Sequence, residues 1–534
     1  MTGTKQRTAS RRSRRRGRGE KDEGYVLAMF ALLLIPILIA TALAVDVGSW
    51  YARVTQLQRA ADAAALAGTI WMPDITKATS VAQDTLLKNG VDPTGAGGVT
   101  VTIGQGHSST SLKVVLTDTK VKPYFSGVIG WNQTLHRSAE AEYYLPLPLG
   151  SPLNYFGGDA SKSANIAASR SPGFWAAIGG PGDVAAYGDA YSAVCTGTAD
   201  CGTPPQSNNM YRSTGYWYVI KMPATNPTTT TISIFDAAYN PSNGAANLAG
   251  DQSHVDSVVF TTEYRIYKQN SAIDINNRTP LTSSPSANDN SCYWQLTNNA
   301  THLGNWKPLC TITNPTAGDT YLLNVRTSDP QFKGSGVNGY AVQAIATGSV
   351  QPAVYAYGDM AMRNNINGTT ATFYLSEVGP EFAGKVLNVD LWDPGDTNGT
   401  ATLYPMMPST TAVKPVQSVA QADCTYTASP SPNAASGSSA DGGGTSPSVT
   451  TAHASDVSGS CGVITNQSGT NKYNDEWLHI RIKVPTTYTC TKGINPETTA
   501  GSCWWGIKYN FTAAANDVTT WKAAIEGNPV HLVQ

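Results

Sequence analysis

The residues with the clearest capacity for chemistry are Asp393-Pro394-Gly395-Asp396-Thr397-Asn398-Gly399, a short turn in which carboxylate and amide oxygens recur. Oxygen-rich turns hold Ca²⁺ in extracellular domains. Asp393, Asp396 and Asn398 are the candidate ligands here, with Asp183, Asp189 or Asp236 as further donors from distant loops. The EF-hand spacing with its terminal bidentate Glu is missing. A second reading needs no metal, because Asp bonds its own backbone two residues on and Gly supplies φ > 0, which together end a strand. The eight cysteines, Cys195, Cys201, Cys292, Cys310, Cys424, Cys461, Cys490 and Cys503, are an even set and point to disulfides. Nearest-neighbour pairing is the simplest arrangement, each bridge closing a local loop, although eight cysteines permit 105 connectivities. Cys-x-x-Cys and Cys/His clusters are absent, which argues against zinc.

Other chemistry is thinly represented. The sequence has no Gly-x-Ser-x-Gly elbow, His-Glu-x-x-His, phosphate loop or dinucleotide fingerprint, and its seven histidines are scattered. A non-enzymatic protein is expected, and no cofactor is implied beyond the candidate Ca²⁺. Trp217, Trp294, Trp306, Trp392, Trp477, Trp504, Trp505 and Trp521 could stack on sugar rings if they shared an exposed face; otherwise they bury large areas in a core.

The element that must place all these groups is N-terminal. Tyr25 to Val45 contains no charge, and as a helix at about 1.5 Å per residue it spans roughly 30 Å, enough to cross a bilayer once. Arg11-Arg12-Ser13-Arg14-Arg15-Arg16-Gly17-Arg18 precedes it and holds the N-terminus on the cytoplasmic side. Everything after Asp46 is then expected outside. The apolar run is longer than a cleavable signal requires, so retention as an anchor is expected. Pro36 in mid-span is tolerated in lipid.

Gly24-Tyr25-Val26-Leu27-Ala28-Met29-Phe30-Ala31-Leu32, Pro36, Ala44-Val45-Asp46-Val47-Gly48 and Leu57-Gln58-Arg59-Ala60-Ala61-Asp62-Ala63-Ala64-Ala65-Leu66-Ala67 together resemble the N-terminal region of TadG-like proteins of the tight-adherence, Flp-type pilus assembly system. Within this motif Gly24, Pro36, Asp46, Gly48, Ala61 and Asp62 are the marker residues. The resemblance implies a membrane-anchored assembly component whose partners are the membrane and other pilus or secretion assembly proteins. Pilins of that system carry Glu five residues after a processed Gly, whereas Met29 stands there in this chain. Prepilin-type processing is therefore not implied. The small residues Ala60, Ala64 and Gly68 would allow close helix packing.

Beyond the anchor the sequence reads as mainly β. We assign residues 1–24 to a basic cytoplasmic tail, 25–45 to a transmembrane helix, 46–70 to its extension and 71–148 to a small α/β module. The module has a helix from Ala78 to Val91 and strands at Val99–Ile103, Leu112–Thr117 and Thr134–Tyr144. Residues 149–165 read as a Pro-rich linker. Alternating strands split by Gly, Pro and Asn turns then predict two tandem β-sandwich, jelly-roll-like domains at 166–350 and 351–534, the second carrying a flexible Ser/Gly/Pro-rich loop at 425–460. Ser233-Ile234-Phe235-Asp236 and Asp390-Leu391-Trp392-Asp393 look like the same strand in two related domains. Charged residues are 14% of the chain and the net charge is −1, with a basic excess confined to the N-terminal tail. No nucleic-acid surface is expected outside it. A cell-surface adhesin or glycan-binding protein is the alternative function.

Overall fold

The computed structural model describes residues 22–72, 75–106, 111–121, 123–125, 127, 133–143, 146–157, 174–195, 208–236, 260–270, 275–297, 302, 305–328, 334–366, 370–395, 399–430, 449–451, 459–466, 473, 476–513, 515–526 and 530–532. The chain is mainly β and forms two compact units. One comprises residues 1–144 and 529–534; the other is 145–528.

The first unit is built on α1 (Asp22–Thr69), followed by α2 (Ile75–Lys88) and the strands β1 (Val99–Gln105), β2 (Ser111–Val121) and β3 (Gln133–Tyr143). α1 runs unbroken through Pro36 and is long and apolar enough to cross a membrane. Its two ends differ in surroundings. Large side chains from Tyr25 to Val45 are exposed, whereas Leu57, Ala60, Ala61, Ala64 and Ala65 are fully buried. The buried stripe lies against Ala78, Ala82 and Leu86 of α2 and the Leu112–Val114–Leu116 face of β2. Gly68 permits the closest approach: a Cβ there would sit 2.4 Å from a Leu112 methyl and 2.8 Å from the Ala78 carbonyl oxygen. Hydrogen bonds fasten the same helix to the sheet, from Gln58 Nε2 to Ser138 O (3.1 Å) and from Thr69 Oγ1 to Ala141 O (3.0 Å). Arg53 adds an ion pair to Asp118 at 2.8 Å. Ala60, Ala64 and Gly68 are therefore spent inside the unit, against α2 and the sheet.

The second unit begins with β4 (Pro148–Leu149), β5 (Tyr155–Phe156), β6 (Phe174–Gly179), β7 (Tyr216–Lys221), β8 (Thr229–Asp236) and β9 (Thr261–Gln269). There follow β10 (Arg278–Pro280), β11 (Tyr293–Leu296), β12 (Trp306–Thr313), β13 (Thr320–Ser328), β14 (Val337–Ala346) and β15 (Ala353–Tyr357). Its later half holds β16 (Asp359–Ile366), β17 (Thr370–Glu377), β18 (Val386–Trp392), β19 (Ala401–Pro408), β20 (Pro415–Ser418) and β21 (Cys424–Pro430). The last members are β22 (Val449–Thr451), β23 (Val463–Asn466), β24 (Glu476–Lys483), β25 (Trp504–Phe511) and β26 (Ala515–Ile525). Then β27 (Val530–Leu532) returns to the first unit and pairs with β3.

Two large antiparallel sheets result. One has the order β10-β9-β13-β7-β15-β4-β17-β25-β19-β20 and the other β12-β8-β14-β6-β16-β26-β18-β24-β21-β22. Their faces meet through the Tyr218 and Tyr340 hydroxyls (2.7 Å), the T-shaped Phe373–Trp521 pair (5.1 Å) and a hydrogen bond from Asn338 Nδ2 to the Tyr264 hydroxyl (3.1 Å). The order repeats. The series β4, β6, β7, β8, β9, β12, β13, β14 and the series β15, β16, β17, β18, β19, β24, β25, β26 alternate between the sheets in the same way. β8 and β18, which carry the two Asp-ended phrases, hold equivalent places.

This arrangement differs from the expected division at 350/351. The leading strands are exchanged, β4 pairing with β17 and β15 with β7, while β6 pairs with β16. Backbone hydrogen bonds therefore run continuously from residues of 166–350 to those of 351–534. Part of the expected 149–165 linker is also strand: Leu149 lies between β15 and β17, and β5 pairs with β14. The final strand leaves the second domain range altogether.

Gly68 and Gly48 provide a matched test of helix packing. Gly48 lies in the same helix with nothing within 4 Å of its absent Cβ. Gly68→Ala should destabilise the first unit by about 1–3 kcal/mol through overpacking. Gly48→Ala should be neutral or stabilising by about 0.5–1 kcal/mol through helix propensity. Amide hydrogen exchange of β2 in the detergent-solubilised full chain reads both.

Candidate membrane-anchor site

The anchor motif folds around Asp46. This residue closes the apolar run and is fully buried, although its helical neighbours Val45 and Val47 are exposed. Its carboxylate accepts the backbone N–H of Tyr124 on Oδ1 (2.6 Å), and the N–H of Phe125 approaches Oδ1 (3.1 Å) and Oδ2 (3.2 Å). An ionised acceptor for otherwise unpaired backbone donors is among the stronger hydrogen bonds, and at the end of an apolar span it also satisfies the charge. The loop after β2 is thereby tied to the helix where the span ends. Ser49 bonds back to the Asp46 carbonyl (2.7 Å), and Asp62 accepts from Gln58 (2.9 Å) along the same helix. Ala61 is core, while Gly48 faces open space. Pro36 sits within the helix. Gly24 lies in α1, and nothing is assigned to it beyond that.

Residues 24–83 match the TadE/G-like Flp pilus-assembly family. The matched stretch runs from the start of the apolar span through Asp46 and the buried Ala stripe into α2. The TadE/G-like segment is thus the part of the first unit that holds both the span and the helix packed on the sheet. No curated protein and no solved structure matches the chain.

The other sequence-derived candidates are placed differently. Asp393 directly follows β18, is fully buried, and adopts φ 54°, a left-handed conformation that Asp tolerates. Its N–H donates to the Glu476 carbonyl (2.9 Å). Asp396 and Asn398 lie outside the described residues. Among the described residues, no group of three His, Cys, Asp or Glu could hold a metal. Asp189 is saturated by protein donors, accepting the N–H groups of Gly179, Tyr191 and Ser192 and the Tyr216 hydroxyl. Three disulfides join Cys292 to Cys310, Cys424 to Cys461 and Cys490 to Cys503. Cys195 is disulfide-bonded as well, and Cys201 lies outside the described residues. The Cys424–Cys461 bridge spans the base of the 425–460 loop.

Six of the eight candidate tryptophans are core residues. Trp294, Trp392, Trp505 and Trp521 are fully buried, and Trp477 and Trp504 nearly so. Trp217 is partly exposed, but Arg278 covers its ring (4.3 Å) and Tyr267 packs beside it (5.6 Å).

One polar cluster is invisible in the linear sequence. Asp359, Lys522, Asp390 and His479 are successive cross-strand neighbours on β16, β26, β18 and β24. Arg212 holds Asp359 (2.8 Å), and His479 Nδ1 lies 2.7 Å from Asp390 Oδ1. The Lys522 ammonium lies 4.9 Å from the Tyr191 ring centre and 4.7 Å from that of Trp477. Beside this row, Trp392 donates to the Ala185 carbonyl and Thr520 to that of Gly188, so the segment between β6 and β7 is fastened over the same face. Arg212 and Lys522 flank the carboxylates of Asp359 and Asp390, and the row reads as a clamp across four strands.

Two predictions follow from these two sites. Removing the Asp46 acceptor by Asp46→Ala should cost the first unit about 2–3 kcal/mol and expose the Tyr124–Phe125 loop to chymotrypsin. Asp46→Asn keeps one carbonyl acceptor and should lose less. In the second unit, burial lowers the Lys522 pKa from 10.5, outweighing attraction from Asp359 and Asp390. The charged form is thus penalised at every pH below that lowered value, and the penalty fades as pH rises through it toward 10.5. Lys522→Met should raise the thermal midpoint at pH 7, and the advantage should shrink as the pH approaches 10.5.

Proposed function

We propose that the protein is a membrane-anchored, extracytoplasmic component of a tight-adherence, Flp-type pilus assembly or secretion system, acting through protein contacts and not as an enzyme. The single observation that carries the reading is the TadE/G-like match, which covers the apolar span and its continuation as far as α2. In this reading residues 25–45 cross the bilayer once, the Arg-rich stretch 11–18 stays in the cytoplasm, and both β-bearing units lie outside. The disulfides support an oxidising location for the second unit. The partner surface of the anchor is then its exposed 25–45 stretch, because the small residues further along α1 are buried inside the unit.

The test follows from that division. Replacing residues 25–45 alone by an unrelated membrane helix leaves Asp46 and the buried stripe intact, whereas replacing 25–68 would remove the core of the first unit. Cross-linking capture from membranes should recover pilus-assembly membrane proteins with the native chain and lose them with the 25–45 exchange. Equal recovery of those proteins by both chains moves the partner surface to the outer units. Recovery by both of a surface glycan or adhesion target, with no pilus component, overturns the assembly reading.

A further inference from the structure

The loop held by Asp46 does more than close the helix packing. Tyr124 and Phe125 are 73% and 52% exposed, and Tyr51 on the helix is 74% exposed. Such aromatic exposure beside the end of an apolar span is the pattern of a membrane–water interface. Phe125 lines, together with Ile35, Leu38, Ile39, Thr41, Ala42 and Val45 of the helix, an open groove of about 440 Å³. The lining offers almost nothing polar, since the Thr41 hydroxyl is spent on the helix's own Ile37 and Leu38 carbonyls. Its size lies within the range of about 300–1,000 Å³ common for small-molecule sites.

We infer that this groove is a lipid site: it takes an acyl chain of a membrane phospholipid, with Phe125 and Tyr124 inserted at the interface above it. The inference rests on the reading of residues 25–45 as membrane-spanning. The chemistry of the walls selects the occupant. Close helix association in membranes needs small residues spaced so that backbones approach along one face, whereas the two small residues of this lining, Thr41 and Ala42, are adjacent in sequence and flanked by Ile35, Leu38, Ile39 and Val45. A flexible acyl chain fills such an irregular apolar wall without requiring that approach. The Asp46 carboxylate sets the depth, because it holds the Tyr124 and Phe125 backbone one position beyond Val45. The loop is therefore a second membrane contact that ties the sheet to the bilayer surface independently of the span.

Site-directed spin labelling of the full chain in phosphatidylcholine/phosphatidylglycerol vesicles tests this directly, with nitroxides introduced singly by Phe125→Cys, Leu34→Cys and Ser80→Cys. Leu34 reports the middle of the span, and Ser80 an exposed position on α2. The label at 125 should favour oxygen over a water-soluble nickel complex several-fold, as at 34, with the reverse at 80. A water-like pattern at 125 with a lipid-like one at 34 overturns the lipid site and leaves the anchor reading intact. Shielding at 125 from both reagents also overturns it, because protein then covers the groove. A water-like pattern at 34 as well sinks the membrane reading itself. As a second readout that needs no label, native mass spectrometry from phosphatidylglycerol nanodiscs should show bound phospholipid retained by the wild type and lost in Phe125→Asp. Equal retention by both refutes the site.

Discussion

The first unit depends on one buried carboxylate. An acidic side chain directly after an unbroken apolar stretch is costly unless it is paired, and Asp46 resolves the conflict by accepting two backbone N–H groups from a loop 78 and 79 residues further on. The contact lies between the apolar exposed stretch of α1 and its buried stripe, which begins at Leu57. It ties the Tyr124–Phe125 backbone to the helix at that level. The Ala-rich stripe beyond Asp46 then needs no side-chain bulk, because α2 and β2 close directly on its backbone at Gly68. The apolar exposed stretch and the stripe packed in the first unit are therefore parts of one continuous helix, with Asp46 between them.

The second unit solves a different problem. Two half-sized antiparallel sheets each expose edges, and exposed edges invite pairing with other chains. Exchange of the leading strands removes the inner edges by hydrogen-bonding one half to the other along β15–β4 in one sheet and β6–β16 in the other. The repeated strand order makes this exchange reciprocal, so each half completes the other. Among the described residues, the remote ends lie at β10 and β11 beyond β9 and at β20 and β23 beyond β19 in one sheet, and at β12 and β22 in the other.

What was readable in the sequence follows the range of the interactions. Strands were visible because alternating residues report one buried face, and the phrases ending in Asp236 and Asp393 betrayed a repeat that the topology places at equivalent positions. Their partners were not visible. Leu149 meets Ser376 and Trp175 meets Arg363 across roughly two hundred residues, a pairing that no local period encodes. The Asp359–Lys522–Asp390–His479 row was hidden for the same reason, each member coming from a different strand. Asp46 stood out as a motif residue, yet its role required Tyr124 and Phe125, whose contribution is backbone and leaves no side-chain signature. Ala60, Ala64 and Gly68 illustrate the converse: small residues at helical spacing suit an external helix and an internal core equally well, and burial places them in the core formed by α2 and the sheet.

The return of β27 to β3 gives the chain its organisation. Residues 145–528 are inserted between two hydrogen-bonded strands of the first unit, so the sheet of the first unit is the host and the large β unit is its insert. A tandem arrangement would join the two by a single covalent linker, whereas an insertion joins them by two. One proteolytic cut in either connection then leaves the outer unit covalently attached, and the host sheet keeps all its strands only while both chain segments reach it. On that side β3 gains its edge partner only from residues 530–532. For a protein read as acting outside the membrane, this places completion of the membrane-proximal sheet after synthesis of the outer unit.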